Sequence, residues 1–383
     1  MRNIWIKNLL INTVFRAVSF INKIIPKNKN KILLYANEGF RDNIYYLYKY
    51  LKENDYEKKY TIICSASDYK EHENKNTENI KFVSKKMGIL HFFTSSAVYY
   101  CFGRIPITPS KNQRTIQMWH GTSFKGFDKT MQKTNSVKNQ FYTHVYASSE
   151  FFRPIVEKKF ACKPENVYIC GHPRTDCFYN GKKLYNLGKF NKVIMWLPTF
   201  RKSDKLGYAD TDTENIVPFY KTEELKELDA LARKNNILLI VKFHPMQDIG
   251  KNNFSNLKNV RFYSHRKFSK KYDLYELLKQ TDALITDYSS VFYDYLLLDK
   301  PIGFTEDDEK QYAGNRGFAV DNPDDFKPGM RIRTKKDFVK FITDVASDVD
   351  KYREKRKKIN YLSNQYQDGR NCQRTLAVGN VKL

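Results

Sequence analysis

Asp282-Ala-Leu-Ile-Thr-Asp-Tyr-Ser-Ser-Val-Phe-Tyr-Asp294 is the stretch that decides the fold. Ala283, Leu284 and Ile285 form a short apolar run between polar residues, which predicts a buried strand. Ser289 and Ser290 follow at once. Val291, Phe292, Tyr295, Leu296 and Leu298 then recur at spacings that suit one packed face of a helix. The pattern is strand, tight turn, helix, with hydroxyls where the helix begins. The first N–H groups of a helix have no internal partner, and the aligned peptide dipoles favour negative charge there. With Thr286, Ser289 and Ser290 adding side-chain donors, this turn can hold a phosphate or diphosphate. The plainer alternative is that Ser289 or Ser290 is only an N-cap.

The same alternation extends outward on both sides. Upstream, strands are expected at 32–35, 60–64, 80–83, 97–101, 114–119 and 167–170, with helical spacing at 42–51 and 87–94. The pattern loosens around 171–190, where Asn180-Gly-Lys-Lys and Asn186-Leu-Gly are turn-rich and mark a linker. A second series follows, with strands at 192–196, 237–242, 260–263, 283–285 and 301–304. Its helices are expected at about 222–234, 273–280 and 290–298, and further helices at 338–345 and 349–365 close the chain. Strands separated by helices imply parallel sheets covered on both faces, and right-handed crossovers restrict the topology. A chain of 383 residues exceeds one typical core. The expected architecture is α/β: two Rossmann-like parallel-sheet domains facing a cleft, preceded by an N-terminal amphipathic helix. The boundaries are 1–30 for that helix, 31–185 and 186–350 for the domains, and 351–383 for terminal helices packing back on the first domain. Ligands of such sheets bind beyond the carboxyl ends of the strands.

Composition limits the partners. The formal net charge of +25 calls for an anionic surface or substrate. No apolar run reaches the ~18 residues of a spanning helix. The six cysteines are scattered without a C-x-x-C pair, and several sit in apolar runs, which suits reduced core thiols and a cytoplasmic setting. In the first 31 residues, Ile4, Trp5, Leu9, Leu10, Val14, Phe15, Val18, Phe20, Ile21 and Ile24 are mixed with Arg2, Lys7, Arg16 and Lys23, and Lys27, Lys29 and Lys31 follow Pro26. Arg16 and Asn22 interrupt the run and no small-residue cleavage site follows, which argues against a signal peptide. An interfacial helix on an anionic membrane surface fits better.

The candidate chemistry lies after strands. Trp119-His-Gly-Thr122 places His120 at a strand end, where an imidazole can act as general base, with Gly121 allowing close approach. Gly171-His-Pro-Arg-Thr-Asp176 offers Arg174 to an anion, while His172 and Asp176 can simply hold a turn. Leu197-Pro-Thr-Phe-Arg201 presents a guanidinium suited to phosphate, and Lys242-Phe-His-Pro245 presents Lys242 and His244. Asp128 and Asp287 complete the candidate set. Glu306-Asp-Asp-Glu309 follows the last strand and reads as a solvated loop, not a metal site. The Walker, dinucleotide and nucleophile-elbow glycine motifs are absent, which disfavours P-loop kinases, dehydrogenases and α/β-hydrolases.

Taken as an ordered set, Trp119-His-Gly-Thr, Gly171-His-Pro-Arg-Thr-Asp, Leu197-Pro-Thr-Phe-Arg, Lys242-Phe-His-Pro and Thr286-Asp-Tyr-Ser-Ser resemble the CDP-glycerol glycerophosphotransferase family, the teichoic acid primases and polymerases, from about residue 31 to 369. The resemblance implies a GT-B architecture and attack of an acceptor hydroxyl on the β-phosphorus of a CDP-alditol, with release of CMP. It implies no cofactor and no protein-ligated metal. Its partners would be CDP-glycerol or CDP-ribitol, a lipid-linked (undecaprenyl diphosphate) saccharide acceptor and the cytoplasmic face of the membrane, bound peripherally; nucleic acid is not among them. His120 corresponds to the base, His244 to the histidine on the donor phosphates, and Thr286, Ser289 and Ser290 to the diphosphate turn. The length suits a single catalytic module with a short membrane helix. A CDP-ribitol enzyme of the same family and a GT-B sugar transferase using a nucleotide sugar are the alternatives.

Overall fold

The nine residues of β1 (Asn28–Ala36) show why the first half folds as it does. The amino-terminal residues are solvated, and Ile32-Leu-Leu-Tyr-Ala are buried without alternation. A strand covered on both faces has this pattern. In the computed structural model, residues 13–124, 141–198, 202–203, 208–209, 215–244, 254, 256–306 and 318–383 are described. β1 is joined by β2 (Thr61–Ala66), β3 (Ile80–Val83), β4 (Ser95–Tyr100), β5 (Arg114–Gln117), β6 (His144–Ala147) and β7 (Val167–Ile169) in a seven-stranded sheet ordered β3-β2-β1-β4-β5-β6-β7. Every pairing is parallel, with Ile32 opposite Ile62 on one side and Ala97 on the other. Helices α1 (Val14–Ile24), α2 (Asp42–Glu53), α3 (Lys85–Phe92) and α4 (Arg153–Phe160) belong to this half.

The second sheet runs parallel throughout in the order β12-β11-β8-β13-β14-β15. Its strands are β8 (Lys192–Leu197), β11 (Ile237–Lys242), β12 (Val260–Tyr263), β13 (Ala283–Thr286), β14 (Ile302–Thr305) and β15 (Met330–Ile332). β9 (Lys202–Ser203) and β10 (Tyr208–Ala209) form a separate antiparallel pair. The helices are α5 (Leu225–Lys234), α6 (His265–Lys271), α7 (Leu274–Leu278), α8 (Val291–Tyr295), α9 (Lys335–Ala346) and α10 (Arg353–Ser363). The fully buried Trp196 of β8 meets Phe338 of α9 at 4.9 Å between ring centres.

Two compact units result: Met1–Thr122 with Lys129–Tyr179 and Gln365–Leu383, and Ser123–Asp128 with Asn180–Asn364. The last helix, α11 (Asn371–Val378), therefore belongs to the first unit while α10 belongs to the second. The Asp176 carboxylate fixes α11 by accepting from the backbone N–H groups of Asn371 (2.9 Å) and Cys372 (2.7 Å). Gly171 leaves the room this needs, since a Cβ there would lie 2.4 Å from the Asn371 side chain.

In each sheet the strand order reverses once, between β1 and β4 in the first and between β8 and β13 in the second. Such reversals open a crevice at the carboxyl edge. β6, β9, β10 and β15 go beyond the strands expected from the sequence; all are short, and β15 carries Arg331 at its centre.

The helix α1 is turned against the usual rule. Ser19 and Asn22 are its buried residues, whereas Phe20, Ile21 and Ile24 are 65%, 52% and 68% exposed. Asn22 donates to the Thr108 carbonyl and to Gln113 Oε1, both at 2.9 Å. Lys27, expected at the lipid surface with Lys29 and Lys31, is instead a structural clamp. Its ammonium donates to the carbonyls of Asn22 and Phe93 and to Asn22 Oδ1, and burial lowers its pKa to about 8. Among the described residues, no helix is long and apolar enough to cross a membrane.

Candidate functional site

The first unit builds its polar edge around His120. The chain leaves β5 and turns sharply: Trp119 has φ 59° and Gly121 has φ 136°. A tryptophan in the left-handed region is strained, and a strained backbone persists only where its surroundings hold it. Here they do. The Trp119 carbonyl accepts from Asn43 Nδ2 at 2.8 Å and from the Cys101 thiol at 3.3 Å. The His120 carbonyl accepts from Arg174 Nη1 at 3.1 Å. The same nitrogen donates to both carboxylate oxygens of Asp42 at 2.6 and 2.7 Å, and the Arg174 side chain is 3% exposed. Burial raises the Asp42 carboxyl, but the charge and hydrogen bonds of Arg174 outweigh it and hold Asp42 below the usual carboxylate range. Asn43 closes the cluster: its Oδ1 accepts from the Arg174 backbone N–H and its Nδ2 lies 3.3 Å from His172 Nδ1. Arg174 thus holds the His120 loop, and His172 sits in a turn whose carbonyl accepts from Thr175.

The His120 ring stacks on Phe102 (5.0 Å, 20°) and lies 3.9 Å from Trp119. Its Nδ1 is buried with no hydrogen-bond partner among the described residues. Burial pulls its pKa down to about 3, Lys159, Arg174 and His172 pull the same way, and Asp42 opposes them. The imidazole is therefore neutral at working pH, as a proton acceptor must be.

The second unit brings Thr286, Asp287, Ser289 and Ser290 to the reversal between β8 and β13. Thr286 departs from expectation. It is fully buried, and its hydroxyl donates to the Leu197 carbonyl at 3.1 Å, crosslinking the two strands. A hydroxyl has one proton, so Thr286 has none for a phosphate. Asp287 is buried, and its Oδ1 accepts from the Tyr288 N–H at 2.6 Å. Ser290 precedes α8 but its side chain makes no capping bond, and no hydrogen bond engages either serine hydroxyl among the described residues. The plain N-cap alternative is therefore not what the serines do. Lys242 ends β11, its ammonium 5.6 Å from the centre of the Phe268 ring, and half-buried His244 follows two residues later. Arg201 and Asp128 lie outside the described residues.

Glu306 corrects the expectation of a solvated loop. Its side chain is 1% exposed at the end of β14, paired with fully buried Lys327 at 2.7 Å and with Arg331. Residues 307–309 lie outside the described residues. Among the described residues, no group of three or more His, Cys, Asp or Glu is placed to hold a metal ion.

Residues 17–378 match the family model described as CDP-Glycerol:Poly(glycerophosphate) glycerophosphotransferase. The chain belongs to this family. Among its relatives, the teichoic acid poly(ribitol-phosphate) polymerase of Bacillus spizizenii is 28% identical over 87% of this chain and 54% of its own length. The teichoic acid glycerol-phosphate primase of Bacillus subtilis is 32% identical over 57% of this chain and 56% of its own. The chain spans 54% and 64% of the length of two ribitol-phosphate polymerases it matches. The solved wall teichoic acid polymerase TagF shares the fold, with a TM-score of 0.76 at 21% identity over 98% of this chain and 94% of that one.

In this glycerophosphotransferase-family chain, sequence reasoning missed Asp42 and Asn43, which it placed in an ordinary helix. Their signal was available: two polar residues open a helix just past a strand, and a strand end is also what singles out His120.

Proposed function

We propose that this chain transfers glycerol phosphate from CDP-glycerol to a hydroxyl of a lipid-linked acceptor, releasing CMP, in the synthesis of teichoic acid or a related cell-wall or capsule polymer. The acceptor oxygen attacks the β-phosphorus as the bond from that phosphorus to the bridging oxygen breaks. CMP leaves with the electron pair, and the hydroxyl proton passes to His120. The first unit serves the acceptor and the second the donor. His244, Lys242, Arg201 and the hydroxyls of Ser289 and Ser290 neutralise and orient the diphosphate, as phosphoryl transfer requires. Arg174 is a positioning residue in this scheme and Thr286 a strand crosslink. The observation that carries the reading is the pair of serine hydroxyls, unengaged among the described residues, at the strand-order reversal of a chain that matches the glycerophosphotransferase family model. CDP-ribitol is the second reading, favoured by the ribitol-phosphate polymerases among the relatives.

The protein would act peripherally at the cytoplasmic face of the membrane. Supporting this, α1 exposes Phe20, Ile21 and Ile24 beside Arg16 and Lys23 while its polar Ser19 and Asn22 face inward. An apolar stripe flanked by cations suits an anionic bilayer surface.

The test is a donor panel of CDP-glycerol, CDP-ribitol and a nucleotide sugar with a lipid-linked acceptor, reading CMP. Release with CDP-glycerol is expected; release of only a sugar nucleotide's diphosphate would sink the reading. Flotation with phosphatidylglycerol vesicles tests the membrane, and Phe20→Ser with Ile24→Ser is expected to reduce binding.

A further inference from the structure

Asp and Glu number 42 in the chain, yet none falls in residues 13–37 or 79–124. α1 and the loop before β5 come from these two stretches, and the fold pins them together. The Ser19 hydroxyl accepts from the Thr108 N–H at 2.9 Å, and buried Asn22 donates to the Thr108 carbonyl and to Gln113 Oε1. Gln113 in turn donates to the carbonyls of Phe92 and Ser95 at 2.6 and 3.0 Å. Between the end of α1 and this loop lies a cavity of about 610 Å³, within the size range of small-ligand sites. Lys23, Ile24, Ile25, Pro109, Ser110 and Lys111 are among its lining residues, and no acid is. The side chains of Lys23, Lys111 and Ser110 stay outside the hydrogen-bond network. Lys23 and Lys111 are exposed and have no acidic partner among the described residues. Ser110 is only 9% exposed, and its buried hydroxyl oxygen has no hydrogen-bond partner among the described residues. A buried polar atom without a partner is unfavourable, so one held at a cavity wall points to a ligand.

We propose that this cavity binds the phosphate of an anionic phospholipid headgroup, with Lys23 and Lys111 supplying positive charge and Ser110 a hydroxyl donor. The site rests on the peripheral membrane contact proposed above and gives that contact a fixed point. Phe20, Ile21 and Ile24 are exposed on the helix that carries Lys23, and Ile24 belongs to both the apolar stripe and the cavity. A headgroup seated in the cavity places its acyl chains beside that stripe, so a lipid uses both features where a free phosphate uses one. The loop at 108–112 precedes β5 and the His120 turn follows it, so cavity and imidazole lie at opposite ends of one strand. That separation assigns the cavity to an anchoring lipid and not to the reacting end of an acceptor.

The experiment titrates the full chain with vesicles of phosphatidylcholine alone and with added phosphatidylglycerol, reading flotation. Lys23→Gln with Lys111→Gln is expected to weaken binding to the phosphatidylglycerol vesicles about tenfold or more, at unchanged melting temperature. Ser110→Ala is expected to weaken it about threefold, the worth of one hydrogen bond. Lys85→Gln with Lys86→Gln is the control, since it removes the same charge from exposed positions of α3 in the same acid-free stretch. It is expected to weaken binding less than about threefold, because charges away from the contact are screened. Equal loss in the two double variants overturns the site and leaves only a diffuse attraction. Glycerol phosphate in solution binding as tightly as the vesicles overturns it too, because the cavity would then serve a free phosphate. If the wild type floats with neither vesicle, the membrane reading fails and the site with it; if it floats and the two double variants match, the site alone fails.

Discussion

At the carboxyl edge of the first sheet, Asp42, Asn43 and Arg174 direct their polar groups to one another and to the carbonyls of Trp119 and His120. At the same edge of the second sheet, Ser289 and Ser290 present hydroxyls that no described residue engages. Each sheet has one strand-order reversal, so topology does not distinguish the two edges. The chemistry does. A base must sit at a fixed point before its substrate arrives, and the first edge fixes one through a strained turn. An anion brings its own acceptors, so the second edge needs only donors left available. Internal wiring therefore marks the positioning edge, and serine hydroxyls that no described residue engages mark the binding edge.

The largest expected effect falls on the wired edge. His120→Ala should lower CMP release by about 10²–10⁴-fold, the range for losing a general base, while sparing CDP-glycerol affinity. His244→Ala should lose turnover and donor affinity together. Equal donor loss in the two variants, read by calorimetry, would break the division of roles. Next comes the pair beneath the base. Asp42→Ala removes the carboxylate that pairs with buried Arg174, with an expected cost of about 3–5 kcal/mol in denaturant unfolding. Stability that is unchanged would mean the cluster does not hold the turn.

Serine substitution sharpens the contrast from the other side. Ser289→Ala with Ser290→Ala should weaken CDP-glycerol roughly tenfold, as hydrogen bonds to a charged group are lost, and leave the melting temperature unchanged. A lower melting temperature with intact affinity would make the pair structural. The pH dependence of stability separates the edges again. The folded pKa of His120 is about 3, below its ordinary 6.5, so the unfolded chain binds more protons between these values. Stability should rise with pH across that window, and the rise should be shallower in His120→Ala. An equal slope in both proteins would place the imidazole in water.

The fold was largely legible because its signals are local. Apolar runs such as Ile237–Lys242 have the length and composition of buried strands, and their ends located His120, His244 and the serines. Two kinds of feature escaped. β6, β9, β10 and β15, and the short helices α4 and α6, are too short to show a period. Side-chain partnerships also escaped, because they depend on elements distant in sequence: Arg174 reaches Asp42 across 132 positions. Glu306 was misjudged for the same reason, since the cations that bury it, Lys327 and Arg331, lie beyond the acidic run that suggested solvent.

Thr286 is the finest test of the comparison, since it belongs to the binding edge by sequence and to the wired kind by geometry. Its hydroxyl donates to Leu197, and its own carbonyl accepts from Thr305 Oγ1 at 3.3 Å, so the residue ties β13 to β8 and β14. Thr286→Val keeps the shape and removes the donor. The expected result is a loss of about 1 kcal/mol in unfolding free energy, the net worth of one such bond, with CDP-glycerol affinity unchanged. Thr286→Ser keeps the hydroxyl and should restore part of the stability. If Thr286→Val instead lost donor affinity at unchanged stability, the hydroxyl would serve the ligand, and hydrogen bonding within the protein would no longer tell a positioning edge from a binding one.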